Sequence, residues 1–117
     1  MGIIYFVHEW QPRFNESALL SDPEMLSAVT VINQQIAELA PVLNTPTLND
    51  FVSISLENEE VPIAIMTKEY KEQIYIFAVG MRPGNAKASF TINGLKGEKI
   101  VQVLSENRTI LSKEGGV

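Results

Sequence analysis

The chain has 117 residues, 45% hydrophobic and 20% charged, with no cysteine and a single histidine. This is the composition of one globular domain, or of one domain with an appendage, and it excludes disulfides, thiolate metal sites, cysteine nucleophiles and multi-histidine metal centres. Nine basic against fourteen acidic residues leave a net charge of −5, a surface that repels phosphate backbones, so nucleic acid is not expected as a partner.

Residues 3–7 (Ile-Ile-Tyr-Phe-Val) read as a strand buried on both faces, because every side chain is apolar and several are β-branched or aromatic. The run is far shorter than the roughly 20 residues of a membrane span, and it lacks the basic flank of a signal peptide. No membrane partner is expected, and the compartment stays unassigned. Residues 8–20 show no sustained period and contain Pro12, so a loop with one short helical turn is expected. Ser21-Asp22-Pro23-Glu24 then marks a helix start. Ser21 and Glu24 fit a capping box, and Pro23 suits a first-turn position. Apolar residues at Met25, Val29, Ile32, Ile36 and Leu39 place one stripe on a helix of about 16–18 residues. Pro41 should end it, since the residue before a proline avoids helical angles.

Residues 41–50 read as a linker, with two prolines and two asparagines. Val42, Leu43 and Leu48 are more apolar than a free spacer needs. Beyond it the period changes from 3.6 to 2. Strands are expected over 51–56, 63–68, 74–79, 86–92, 100–104 and 109–112. Glu69-Tyr70-Lys71-Glu72, Asn93-Gly94 and Glu106-Asn107 serve as connections. Six strands uninterrupted by a helix predict a mainly β protein: an antiparallel β-sandwich preceded by a strand–loop–helix segment. The expected division is 1–40 for that segment, 41–50 for the linker and 51–117 for the sandwich. A hairpin turn at Lys113-Glu114-Gly115-Gly116, so near the end, suggests a sandwich lacking its last strand.

Three words carry a family resemblance: Gly-Ile-Ile-Tyr-Phe-Val-His-Glu-Trp at 2–10, Ile-Ala-Glu-Leu-Ala-Pro-Val-Leu-Asn at 36–44 and Ile-Tyr-Ile-Phe-Ala-Val-Gly-Met-Arg at 74–82. Together they resemble the C-terminal end of bacterial glycoside hydrolases built on a (β/α)8 barrel followed by a β-sandwich. The resemblance implies that residues 1–40 correspond to the last barrel strand and helix. The sandwich would be an accessory domain that stabilises or flanks the barrel. The catalytic carboxylates of such enzymes lie on strands absent from this chain, so the resemblance implies a non-catalytic fragment without cofactor. Trp10 falls where an aromatic residue commonly stacks on a sugar ring, with Glu9 and His8 as candidates for hydrogen bonds to its hydroxyls.

Read from the residues alone, Trp10 is rather a core or interface aromatic and Glu9 a surface charge. Glu9 and Glu16 do not make an acid/base pair, because seven residues of loop fix no separation between them. His8 as a metal ligand would need at least two further ligands from Glu9, Glu16 or Asp22. Tyr75 and Phe77 share a strand face near Tyr70, as an aromatic sugar platform would require. Ile74, Ile76 and Ala78 make the other face apolar as well, which favours packing over binding. Asn15-Glu16-Ser17 and Asn107-Arg108-Thr109 match the glycosylation pattern without a secretory context. A free-standing carbohydrate-binding or protein-interaction module is the alternative function. Homo-oligomers through residues 3–7 are expected, since that strand has no sheet of its own to join.

Overall fold

The computed structural model describes residues 2–57, 60–104, 106–113 and 115–117. The chain divides into two compact units, residues 1–45 and 46–117. The described elements are α1 (Ala18–Ser21), α2 (Pro23–Leu43), β1 (Val52–Leu56), β2 (Ile63–Tyr70), β3 (Gln73–Gly80), β4 (Ala88–Ile92), β5 (Ile100–Val103) and β6 (Arg108–Leu111). The protein is mainly β with every ladder antiparallel.

In the first unit α2 dominates, and its start differs from the expected capping box. Asp22, not Ser21, is the N-cap: its carboxylate accepts from the Met25 N–H at 2.9 Å, and Pro23 takes the first helical position. Ser21 closes α1 instead, and its hydroxyl donates to the Ser17 carbonyl. Asp22, one residue closer to the proline, wins because a first-turn Pro needs its predecessor to be extended. At the other end α2 runs through Pro41 to Leu43. A proline this late costs one N–H, while the turn beyond it is secured by Asn44 N–H to Ala40 C=O (3.0 Å) and by the Thr45 hydroxyl to Val42 C=O (2.8 Å). The more sheltered side of the helix overlaps the expected stripe in part. Val29, Ile36 and Leu39 of that stripe are half-buried as expected, joined by Leu26, Ala40 and Leu43, and Val42 is buried. Met25 and Ile32 are 53% and 48% exposed.

Residues 3–7 are not a strand buried on both faces. They join no ladder. A strand needs a neighbour's N–H and C=O groups, and the described part of this unit contains no second strand to supply them.

In the second unit the strands form three two-stranded ladders, β1–β4, β2–β3 and β5–β6. The β2–β3 hairpin pairs eight residues with eight, from Ile63↔Gly80 to Tyr70↔Gln73. Its loop is two residues, Lys71 and Glu72, both at positive φ (49° and 62°). That is the geometry of a type I′ turn, which matches strand twist but normally calls for Asn-Gly. The other edge of β2 is used as well: Thr47 bridges Lys68, and Leu48 N–H donates to Thr67 C=O at 2.9 Å.

β4 also has neighbours on both sides. One edge pairs with β1, Val52↔Ile92 through Leu56↔Ala88. The other receives residues 115–117. Phe90 and Val117 exchange two backbone bonds (2.5 and 2.8 Å), and Ile92 N–H donates to Gly115 C=O at 2.9 Å. The expected turn at 113–116 is visible as a Lys113↔Gly116 bridge, with Glu114 outside the described residues. Gly116 permits the close approach, since a Cβ there would sit 2.3 Å from the Phe90 carbonyl oxygen. The β5–β6 ladder continues into Ser112, whose hydroxyl accepts from Lys99 N–H at 2.8 Å while its own N–H donates to Lys99 C=O. Val52 and Val61 are the buried hydrophobic residues of this unit. Its described helical content is nil, so both its order and its thin core rest on strand pairing.

Candidate functional site: an exposed aromatic row

Exposure is high through most of residues 3–10, Ile3 included at 57%, and dips at Tyr5 and Val7. Ile4, Phe6 and Trp10 are 95%, 75% and 68% exposed, whereas Tyr5 is 41% exposed and Val7 half-buried. The Tyr5 hydroxyl donates to Asn33 Oδ1 on α2 at 2.8 Å. A groove of about 500 Å³ is lined by Tyr5, Phe6, Val7 and His8 together with Met25 and Val29 of α2, among others.

The chain then doubles back. Glu9 and Asn15 exchange two backbone hydrogen bonds, 3.0 Å from Glu9 N–H and 2.9 Å from Asn15 N–H, across a loop that contains the cis Gln11–Pro12 bond. Asn15 Oδ1 in turn accepts from Ser17 N–H at 3.0 Å, which fixes the exit. This pairing sets Phe14 opposite Trp10, with ring centroids 5.0 Å apart and planes tilted by 45°. His8 lies between Phe14 (5.8 Å, 24°) and Phe6 (5.0 Å, 34°). Phe6, His8, Phe14 and Trp10 therefore form one continuous row of rings. Its energy comes from ring contacts and from area rather than from charge.

Of the three sequence-derived candidates, the structure brings His8 and Trp10 into this row. The Glu9 backbone holds the turn, and its side chain is exposed. Phe6 and Phe14 escaped sequence reasoning. The period-2 spacing Phe6-x-His8-x-Trp10 was the available signal, hidden because every residue from 3 to 7 is apolar. Phe14 becomes a neighbour only through the Glu9–Asn15 turn. Among the described residues no three His, Asp or Glu side chains are grouped to hold a metal ion.

The second aromatic group is on the β2–β3 hairpin. Its register puts Tyr70, Tyr75 and Phe77 on one face with Met66 and Lys68. The three rings are half-buried, and Lys68 is 2% exposed. The Tyr75 hydroxyl donates to Gln73 Oε1 at 3.0 Å, and Lys71 Nζ stands 5.3 Å from the Tyr70 ring centroid. Half-burial leaves these rings less surface to offer than the row at 6–14.

No described helix is long and apolar enough to cross a membrane. No protein-family model, curated protein or solved structure matches the chain.

Proposed function

We propose that the chain is the non-catalytic C-terminal accessory region of a glycoside hydrolase-like protein, which stabilises or flanks a catalytic barrel. Its second unit would be the accessory β-sandwich, with the β1–β4 layer and the hairpins as parts of two facing sheets. The observation that carries the reading is the outer face of residues 4–10. Tyr5 bonds to α2 and Val7 is half-buried, whereas Ile4, Phe6 and Trp10 leave large apolar surfaces exposed. That is how a strand–helix unit looks when another layer belongs against it. The three sequence words at 2–10, 36–44 and 74–82 agree with this. Trp10 would stand at the rim of a sugar site, with Glu9 and His8 next to it.

Sequencing the transcript upstream of the Met1 codon and assaying the complete product tests the reading. We expect the frame to continue into barrel sequence, and Trp10→Ala to lower kcat/KM on oligosaccharides in that product. A frame closed directly before Met1 refutes it. The exposed Trp10–Phe14 pair favours a second reading, a free-standing carbohydrate-binding module, although rings tilted by 45° make a poor flat platform. Retardation of the chain in polysaccharide gels, lost in Trp10→Ala, would favour it.

A further inference from the structure

The chain exposes 9526 Å². A compact monomer of 13.0 kDa is expected to expose about 6,300 Å², and two separate globules the size of its two units about 7,600 Å². The surplus therefore survives whatever the placement of the units. The aromatic row and Ile4 contribute to it: Ile4, Phe6, Trp10 and Phe14 are 95%, 75%, 68% and 52% exposed. At their sizes these four side chains leave about 650 Å² to water, near the upper end of the roughly 300–600 Å² typical of a monomer's largest apolar patch. It is also close to the roughly 800 Å² that each partner contributes to a standard interface.

We infer that the 117-residue chain, standing alone, covers this face with a second copy of itself. The two rows would meet face to face, antiparallel about a two-fold axis. The row from Ile4 to Trp10 is about 20 Å long at strand rise. Its midpoint is residue 7, so a two-fold there sets Ile4 of one copy on Trp10 of the other and Phe6 on His8. Large rings meet smaller side chains at each position, the complementarity that an isologous contact requires. None of Ile4, Phe6, Trp10 and Phe14 is charged, so two chains of net charge −5 can join here without desolvating a carboxylate on the row itself. The inference rests on the area and pattern of this face and does not depend on the carbohydrate reading. If a sugar does stack on Trp10, it competes with the second copy.

Light scattering coupled to gel filtration, run on the intact chain from about 1 to 200 µM, is the test, since interfaces of this size commonly bind in or below the micromolar range. The expected result is a concentration-dependent shift from 13 to 26 kDa, twice the chain mass. Trp10 is the sole tryptophan, so its emission should move to shorter wavelength along the same curve. Trp10→Ser, outside the groove against α2, and Phe6→Ser, within its lining, should each weaken the dimer about 30-fold or more, with far-UV circular dichroism unchanged. Ile4→Ser repeats the test without touching a ring. A monomer throughout overturns the inference. So does a dimer that persists in all three folded variants, or one whose formation leaves Trp10 emission unchanged. An oligosaccharide that dissociates the dimer as it binds Trp10 would support both readings; a dimer with no sugar affinity leaves the inference standing and removes the sugar role.

Discussion

Replacing Gly116 by alanine should detach the last strand from β4. The new methyl carbon would lie 2.3 Å from the Phe90 carbonyl oxygen and 3.2 Å from the Thr91 Cα. Both are backbone atoms of a strand already paired on its far side, so neither can swing aside. The tail must move, and it takes with it the two Phe90–Val117 bonds and the Ile92–Gly115 bond. At about 0.5–1.5 kcal/mol net for each backbone bond, the loss is about 2–4 kcal/mol. Gly94→Ala is the control. Gly94 sits at φ 79° with nothing within 4 Å of an added Cβ, so it should cost only the left-handed penalty, about 1–2 kcal/mol. Urea denaturation gives both values. Hydrogen exchange locates the damage, because the Phe90 and Ile92 amides face the tail whereas Ser89 and Thr91 lie in the β1 register. In Gly116→Ala, Phe90 and Ile92 should lose protection while Ser89 and Thr91 keep most of theirs. Equal loss across all four amides, or a stability within 0.5 kcal/mol of wild type, would refute the steric argument.

Three further outcomes follow from the local geometry. Lys71→Asn with Glu72→Gly gives the β2–β3 turn residues suited to positive φ at both positions and should raise stability by about 1 kcal/mol, net of the exposed Lys71–Tyr70 contact, as read from the urea midpoint. Asp22→Ala should cost about 1 kcal/mol through the lost cap on Met25 N–H, and Ser21→Ala well under half of that; helix signal at 222 nm during thermal melts separates the two. Tyr5→Phe removes the 2.8 Å bond to Asn33 and should cost about 0.5–1.5 kcal/mol while speeding exchange in residues 4–8, with no change expected in the second unit.

How far the sequence spoke depended on how local the cause was. All six strands were legible from alternation or short apolar runs between turn residues, and the Lys71-Glu72 loop fell inside the expected connection, because strand patterning and turn chemistry act over a few residues. The cap was misplaced by one position, since Ser21 and Asp22 both suit it and only the geometry before Pro23 decides. Pro41 was over-read: the rule against helix before proline is a local preference, which the bonds of Asn44 and Thr45 outweigh. Strand order was not legible, because Asn93-Gly94 looks like a hairpin turn although β4 pairs with β1 and the tail rather than with β5. The aromatic row was half visible: Trp10 and His8 stood out, but Phe14 joins only through two backbone bonds that no spacing rule announces.

The two edges of β4 also set an order of assembly. The hairpins β2–β3 and β5–β6 close over two and four intervening residues, so they can form as soon as their turns do. β4 has no such neighbour. Its partner on one side lies more than thirty residues earlier and on the other more than twenty later, and each pairing must first offset the entropy of closing a long loop. The second unit should therefore form its two hairpins early and the pairing of β4 with β1 and the tail late. Substitutions in β4 would then change the unfolding rate far more than the folding rate, while changes at the Lys71-Glu72 turn would do the reverse.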